Sequence, residues 1–218
     1  MIKTVIFDMD GVLIDSEPIH HLAYIQHFKE LEIEVDEVLY NSFVGGSTKN
    51  IYKRIKDNFG LIPSVEELVN RKRALFSAVF DQDVSLKLMD GVLELIKELH
   101  HNGIQLIVAS SSSHTNINMI FDKFGLNPYF SAKVSGEDFP ESKPNPAIFN
   151  KAVERSGHPK EACIIIEDST NGIKAANAAG VFVIGFKAID SVQNYNTADM
   201  VISSYDQLNS EILTKINS

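Results

Sequence analysis

The chain has 218 residues, a net charge of -9 and a sequence pI near 5.2, which excludes a broad basic footprint for nucleic acid or an anionic membrane. No apolar run reaches the ~18–20 residues of a membrane span, and no apolar segment precedes a cleavage site at the N-terminus. We expect a cytoplasmic protein, monomeric, with one large domain or a core carrying a smaller insert. The sole cysteine, Cys163, allows no intrachain disulfide and opens an apolar run, as a small buried hydrophobe would.

In chain order, the apolar run Thr4–Phe7 reads as a buried strand and ends at Asp8-Met9-Asp10-Gly11. Residues 16–83 then show helical patterns alone, over Ile19–Leu31, Asn50–Phe59 and Val65–Phe80, separated by Gly45-Gly46 and Gly60-Leu61-Ile62-Pro63. Beyond them strands and helices alternate. Strands are expected at Ile104–Ala109, Ala132–Val134, Cys163–Ile166, Val181–Ile184 and Met200–Ile202. Helical periodicity marks Val92, Leu95, Ile96 and Leu99, and again Ile117, Ile120, Phe121 and Phe124. Gly103, Gly125 and Gly180 follow helical stretches as stops. This alternation predicts an α/β fold, a doubly wound, Rossmann-like and mostly parallel sheet covered on both faces. Residues 1–15 and 84–218 would form that core, and 16–83 an inserted all-helical cap that closes over the first strand end.

Four strand ends carry polar residues. Asp8 and Asp10 flank one residue, so extended backbone would send both to one face. Like charges about 4 Å apart repel by roughly 4 kcal/mol at an effective dielectric of about 20, so the pair implies a cation or a reaction that uses it. Ser110-Ser111-Ser112-Ser113 forms a strand-to-helix turn, either simple capping or a cradle for an anion. In Ser142-Lys143-Pro144-Asn145-Pro146, Pro144 favours extended backbone at Lys143, and Pro146 suits a helix start. Taken alone, that segment reads equally as a surface turn with a solvated lysine. Glu167-Asp168-Ser169-Thr170 follows the fourth strand and also suits helix capping.

Together and in this order, the four segments resemble the four motifs of the haloacid dehalogenase superfamily over the whole chain. The nearest branch holds β-phosphoglucomutase and small sugar-phosphate phosphatases. The resemblance implies that Asp8 is a nucleophile forming an aspartyl-phosphate, and that Asp10 is the general acid and then base. For that role Asp10 would need a pKa raised towards neutrality, which crowding by carboxylates could supply. It further implies that Glu167 and Asp168 hold Mg²⁺, with Asp8 as another ligand and Asp10 contributing its carbonyl. Ser110 and Lys143 match the phosphate-binding hydroxyl and lysine, with Ser111 and Ser112 behind them. In the cap, His20 and Lys72 coincide with substrate-side residues. The plainer readings are an exposed histidine beside His21 and a solvated lysine in the basic run Arg71-Lys72-Arg73.

The departures are informative. Where the mutase has an arginine anchoring a second phosphate, this chain has Thr48, with Lys49 next; lysine lacks the bidentate fork of arginine. Ser113 and His114 replace a lysine and an asparagine. Both changes favour hydrolysis over mutation. The expected function is a Mg²⁺-dependent phosphatase acting on a small phosphorylated metabolite such as a sugar phosphate. The alternative is a β-phosphoglucomutase interconverting glucose 1-phosphate and glucose 6-phosphate. A metal-free dehalogenase fits less well because it lacks the second aspartate. A signalling receiver fits poorly because a switch has no use for the helical insert.

Overall fold

The computed structural model describes residues 1–43, 46–82, 86–189 and 191–216; Gly45 and the expected domain boundary at 83–84 lie outside them. Six parallel strands, β1 (Thr4–Phe7), β2 (Gln105–Ser110), β3 (Phe130–Ser135), β4 (Cys163–Glu167), β5 (Phe182–Phe186) and β6 (Met200–Ile202), form one sheet. The spatial order is β3-β2-β1-β4-β5-β6. The chain therefore builds outward from β1 on one side and then returns to build from β4 on the other. The crevice beyond the carboxyl ends of β1 and β4 is the reversal point where such sheets bind ligands. All four β1 residues are buried, as a strand covered on both faces requires.

One face of the sheet packs under α5 (Val92–His101) and α6 (His114–Lys123), the other under α7 (Ala147–Ser156) and α8 (Thr170–Ala179). Between β1 and α5 come α1 (Glu17–Glu30), α2 (Glu37–Asn41), α3 (Thr48–Phe59) and α4 (Val65–Gln82). These four helices have an aromatic cluster of their own around Tyr24, Phe28, Phe43 and Tyr52, in which the Tyr52 hydroxyl and His27 Nδ1 lie 2.6 Å apart. Ile19, Ala23, Phe76 and Phe80, by contrast, join the apolar core of the sheet. Among the described residues no helix is long and apolar enough to cross a membrane.

The differences from expectation are local. Strand β3 runs two residues earlier and one later than its apolar stretch, because its exposed Ser131 breaks the hydrophobic signal while its backbone still pairs with β2. Helices α2 and α9 (Ser210–Lys215) are too short for periodicity to reveal. Their starts are set instead by caps: Asp36 accepts from Leu39 N at 2.7 Å, and Asn209 from Ile212 N at 2.8 Å. Lys143 lies in a turn and its bond to Pro144 is cis, not in the extended stretch expected before a proline.

Candidate active site

Asp8 leaves the sheet at the tip of β1, its N–H still bonded to Ile166 O of β4 at 3.0 Å. Its carboxylate Oδ1 accepts from Lys143 Nζ at 2.5 Å, and the same ammonium donates to Glu167 Oε1 at 2.8 Å and to Ala109 O at 3.3 Å. Lys143 is buried, with Nζ 4.7 Å from the centre of the Phe149 ring. It thereby ties the ends of β1, β2 and β4 together. Burial alone would lower its pKa, but the two carboxylates outweigh that and hold it charged, well above the usual lysine range. Asp8 is pushed up to about 7 by burial, with Glu167 and Asp10 adding to the rise and Lys143 opposing it.

Glu167 is fully buried, and its second oxygen accepts from Ser169 N at 2.7 Å and Ser169 Oγ at 3.0 Å. Its carboxylate lies against the first turn of α8 at Gly172, where a Cβ would come 1.7 Å from Glu167 Oε1. Only glycine leaves that space. Asp168 is half-buried; burial, then Glu167 and Asp8, raise its pKa well above the carboxylate range. Asp8, Glu167 and Asp168 each offer an oxygen, and these lie within 4.8 Å of one another. Three carboxylates and no nitrogen or sulfur suit a hard cation such as Mg²⁺, and their mutual repulsion without one adds to the burial that lifts Asp8 and Asp168.

Asp10 is held by a different set. Its Oδ1 accepts a short hydrogen bond from Ser16 Oγ and lies 3.3 Å from His20 Nε2, while Oδ2 accepts from Ser112 Oγ at 2.8 Å and Ser110 Oγ at 3.4 Å. Burial would raise this carboxyl, but the His20 imidazole and the Ser16 and Ser112 hydroxyls outweigh it and hold the pKa well below the usual range. That corrects the expectation of an Asp10 lifted by neighbouring carboxylates: the His20 imidazole and the two hydroxyls outweigh what raises it. Lys72 Nζ approaches His20 Nδ1 at 2.6 Å. When Lys72 is protonated its ammonium donates to Nδ1, which places the His20 proton on Nε2, facing Asp10.

Asp8, Asp10, His20, Thr48, Ser111 and Asp168 line one cavity of about 120 Å³. Lys143, Glu167 and Ser110 are buried just behind it. Ser110 Oγ accepts from Ser112 N at 3.0 Å, so Ser112 and Ser111, not Ser110, face the opening. Lys49 is exposed and lines a second cavity of about 450 Å³, which shares Thr48 and Ser111 with the first. Lys72, far from being a solvated lysine, is 1% exposed and sits over the rings of Tyr24 and Phe76 at 4.6 and 5.0 Å. Burial brings its pKa down to about 7. Sequence reasoning missed Ser16, Tyr24, Tyr40 and Phe43 around Asp10 and the cavity. Ser16 is one residue before a helix with an acidic first turn, a visible capping signal, yet its hydroxyl caps no helix and goes to Asp10.

The haloacid dehalogenase-like hydrolase model matches residues 5–186, a span that includes every strand-end residue just described. The chain belongs to that family. Among relatives of the haloacid dehalogenase-like hydrolases, the phosphorylated carbohydrates phosphatase of Thermotoga maritima is 28% identical over 82% of this chain and 82% of its own. Among solved structures, a mutant of CbbY from Rhodobacter sphaeroides in complex with xylulose-(1,5)bisphosphate superimposes with a TM-score of 0.85 and 26% identity, covering 95% of this chain and 96% of that one. The β-phosphoglucomutase of Clostridium difficile shares the fold with a TM-score of 0.87 at 24% identity, over 100% of this chain and 97% of that one.

Proposed function

We propose that the protein is a Mg²⁺-dependent phosphatase of small phosphorylated metabolites, sugar phosphates foremost. The observation that carries this reading is the convergence of Asp8, Asp10, Lys143 and the acidic trio at one switch point of the sheet. A carboxylate oxygen of Asp8 attacks phosphorus, the ester P–O bond breaks, and the departing alcohol takes a proton from Asp10. Asp10 then removes a proton from water, whose oxygen attacks the aspartyl-phosphate and releases inorganic phosphate with Asp8 restored. Held ionised by Ser16, His20 and Ser112, Asp10 is set for that second step; a phosphate dianion beside it would raise its proton affinity for the first. Lys143 places positive charge against the phosphoryl oxygens as Asp8 reacts. A divalent ion held by Asp8, Glu167 and Asp168 would offset the remaining phosphoryl charge.

Residues 16–83 act in this reading as a lid over the cavity. In support, Asn50 Nδ2 donates to Ser142 Oγ at 2.7 Å and Arg73 pairs with Glu137 at 2.6 Å, both between the helical segment and the sheet's loops. The same pairing bears on mutase chemistry. Thr48 is uncharged, Lys49 lines the second cavity and Arg73 is committed to Glu137, so among the described residues a second phosphate would find no unengaged arginine there. A relative crystallised with a sugar bisphosphate supports the substrate class.

The test is a phosphate-release screen over sugar phosphates and other phosphorylated metabolites, with Mg²⁺, with EDTA, and with glucose 1,6-bisphosphate. We expect Mg²⁺-dependent release that EDTA abolishes. Glucose 6-phosphate formed from β-glucose 1-phosphate without net release, and only with the bisphosphate present, would establish the mutase instead.

A further inference from the structure

Of Asp8, Asp10, Glu167 and Asp168, Asp168 alone has a carboxylate that accepts no hydrogen bond among the described residues. Asp8 and Glu167 are held by Lys143, and Asp10 by Ser16, His20 and Ser112. Something other than its side chain must fix where its oxygens lie. The main chain supplies it. Tyr195 Oη donates to Asp168 O at 2.7 Å and lies 2.7 Å from Ser191 Oγ, whose proton it can accept. Two further bonds tie the same loop to the residue after next: Thr170 N donates to Gln193 Oε1 at 2.9 Å, and Asn194 N to Thr170 Oγ1 at 2.8 Å. The Tyr195 ring is buried across β5, where a Cβ on Gly185 would come 2.8 Å from its Cδ1, and Gly185 pairs in register with Glu167.

We propose that Tyr195 is a positioning residue for the divalent cation, acting through the Asp168 carbonyl to aim the Asp168 carboxylate into the trio. The proposal rests on the metal-site reading above. A partner that orients a ligand changes metal affinity by about 10-fold or more when removed. Tyr195→Phe would keep the ring over Gly185 and remove the hydroxyl that reaches Asp168 O.

The experiment is Mn²⁺ binding to the full-length protein without substrate, followed by electron paramagnetic resonance, in the wild type and in Tyr195→Phe. We expect the Mn²⁺ dissociation constant of Tyr195→Phe to rise about 10-fold, and the Mg²⁺ half-saturation of phosphate release to shift alike. The rate at saturating Mg²⁺ should fall far less. An unchanged dissociation constant overturns the proposal, including when the melting temperature drops, since that would make Tyr195 merely structural. Should Tyr195→Phe not fold, Gln193→Ala cuts the adjoining tie and must weaken Mn²⁺ binding in the same direction, or the proposal fails. A wild type that binds no Mn²⁺ would instead overturn the metal site itself.

Discussion

Asp8 and Asp10 are separated by one residue, yet different parts of the molecule hold them. Asp8 is fixed by Lys143, whose other bonds reach Glu167 and Ala109 at the ends of β4 and β2. Asp10 is fixed largely by Ser16 and by His20 of α1, and His20 in turn by Lys72 of α4. In the proposed mechanism the phosphoryl side of the site would thus be a property of the sheet, and the proton side would be completed by the helical segment. A site divided this way couples proton transfer to the docking of the helices.

The comparison breaks most severely at Lys143. Lys143→Met would leave Asp8 and Glu167 buried without their cation, a loss of about 3–5 kcal/mol of stability together with phosphate release. Chemical denaturation with the metal-free protein checks the first and the release assay the second. A stable, active Lys143→Met would mean that the sheet side is not organised by this residue.

Asp10→Asn addresses the other half. It should fold normally, and turnover should fall by about 10²–10⁴-fold, the usual worth of a general acid–base group, because protonation of the leaving alcohol and breakdown of the aspartyl-phosphate both slow. A steady-state rate within a few-fold of wild type would remove Asp10 from the proton path.

Lys72 gives an effect on stability with a definite sign. In the unfolded chain a lysine keeps its proton to about 10.4, whereas buried Lys72 gives it up near 7. Between those values the unfolded state binds more protons, so raising the pH should stabilise the fold, and lowering it through 7 should cancel the gain. Unfolding free energies measured from pH 6 to 10 in wild type and Lys72→Met should therefore diverge with pH in favour of the wild type. A constant difference would show that Lys72 titrates normally.

The same division explains what could be read from the amino-acid sequence. Apolar runs bounded by glycine locate strands to within a residue or two, and a parallel sheet then places every strand end at one edge. Asp8, Ser110, Glu167 and Asp168 were legible for that reason, whereas Lys143, in a turn beyond the end of β3, was marked only by its place in the order of the four segments. The contacts of Asp10 were not, since they depend on how α1 and α4 pack. The run Arg71-Lys72-Arg73 reads as one solvated face, but Arg71 pairs outward with Glu30, Arg73 reaches Glu137, and Lys72 turns inward against aromatic rings. A helical surface shows which residues share a side, not which neighbour arrives there. Tyr195 was hidden likewise, in a loop whose hydrogen bonds to Asp168 and Thr170 leave no periodic trace.

In the proposed mechanism Asp8 carries the phosphoryl group during turnover. Acid quench of Asp10→Asn during reaction with a substrate from the release screen, followed by peptide mass spectrometry, tests it directly. One added phosphoryl group is expected on the peptide containing Asp8, and none after Asp8→Ala is introduced as well. Sustained turnover with no adduct, or with the adduct on another residue, would contradict it.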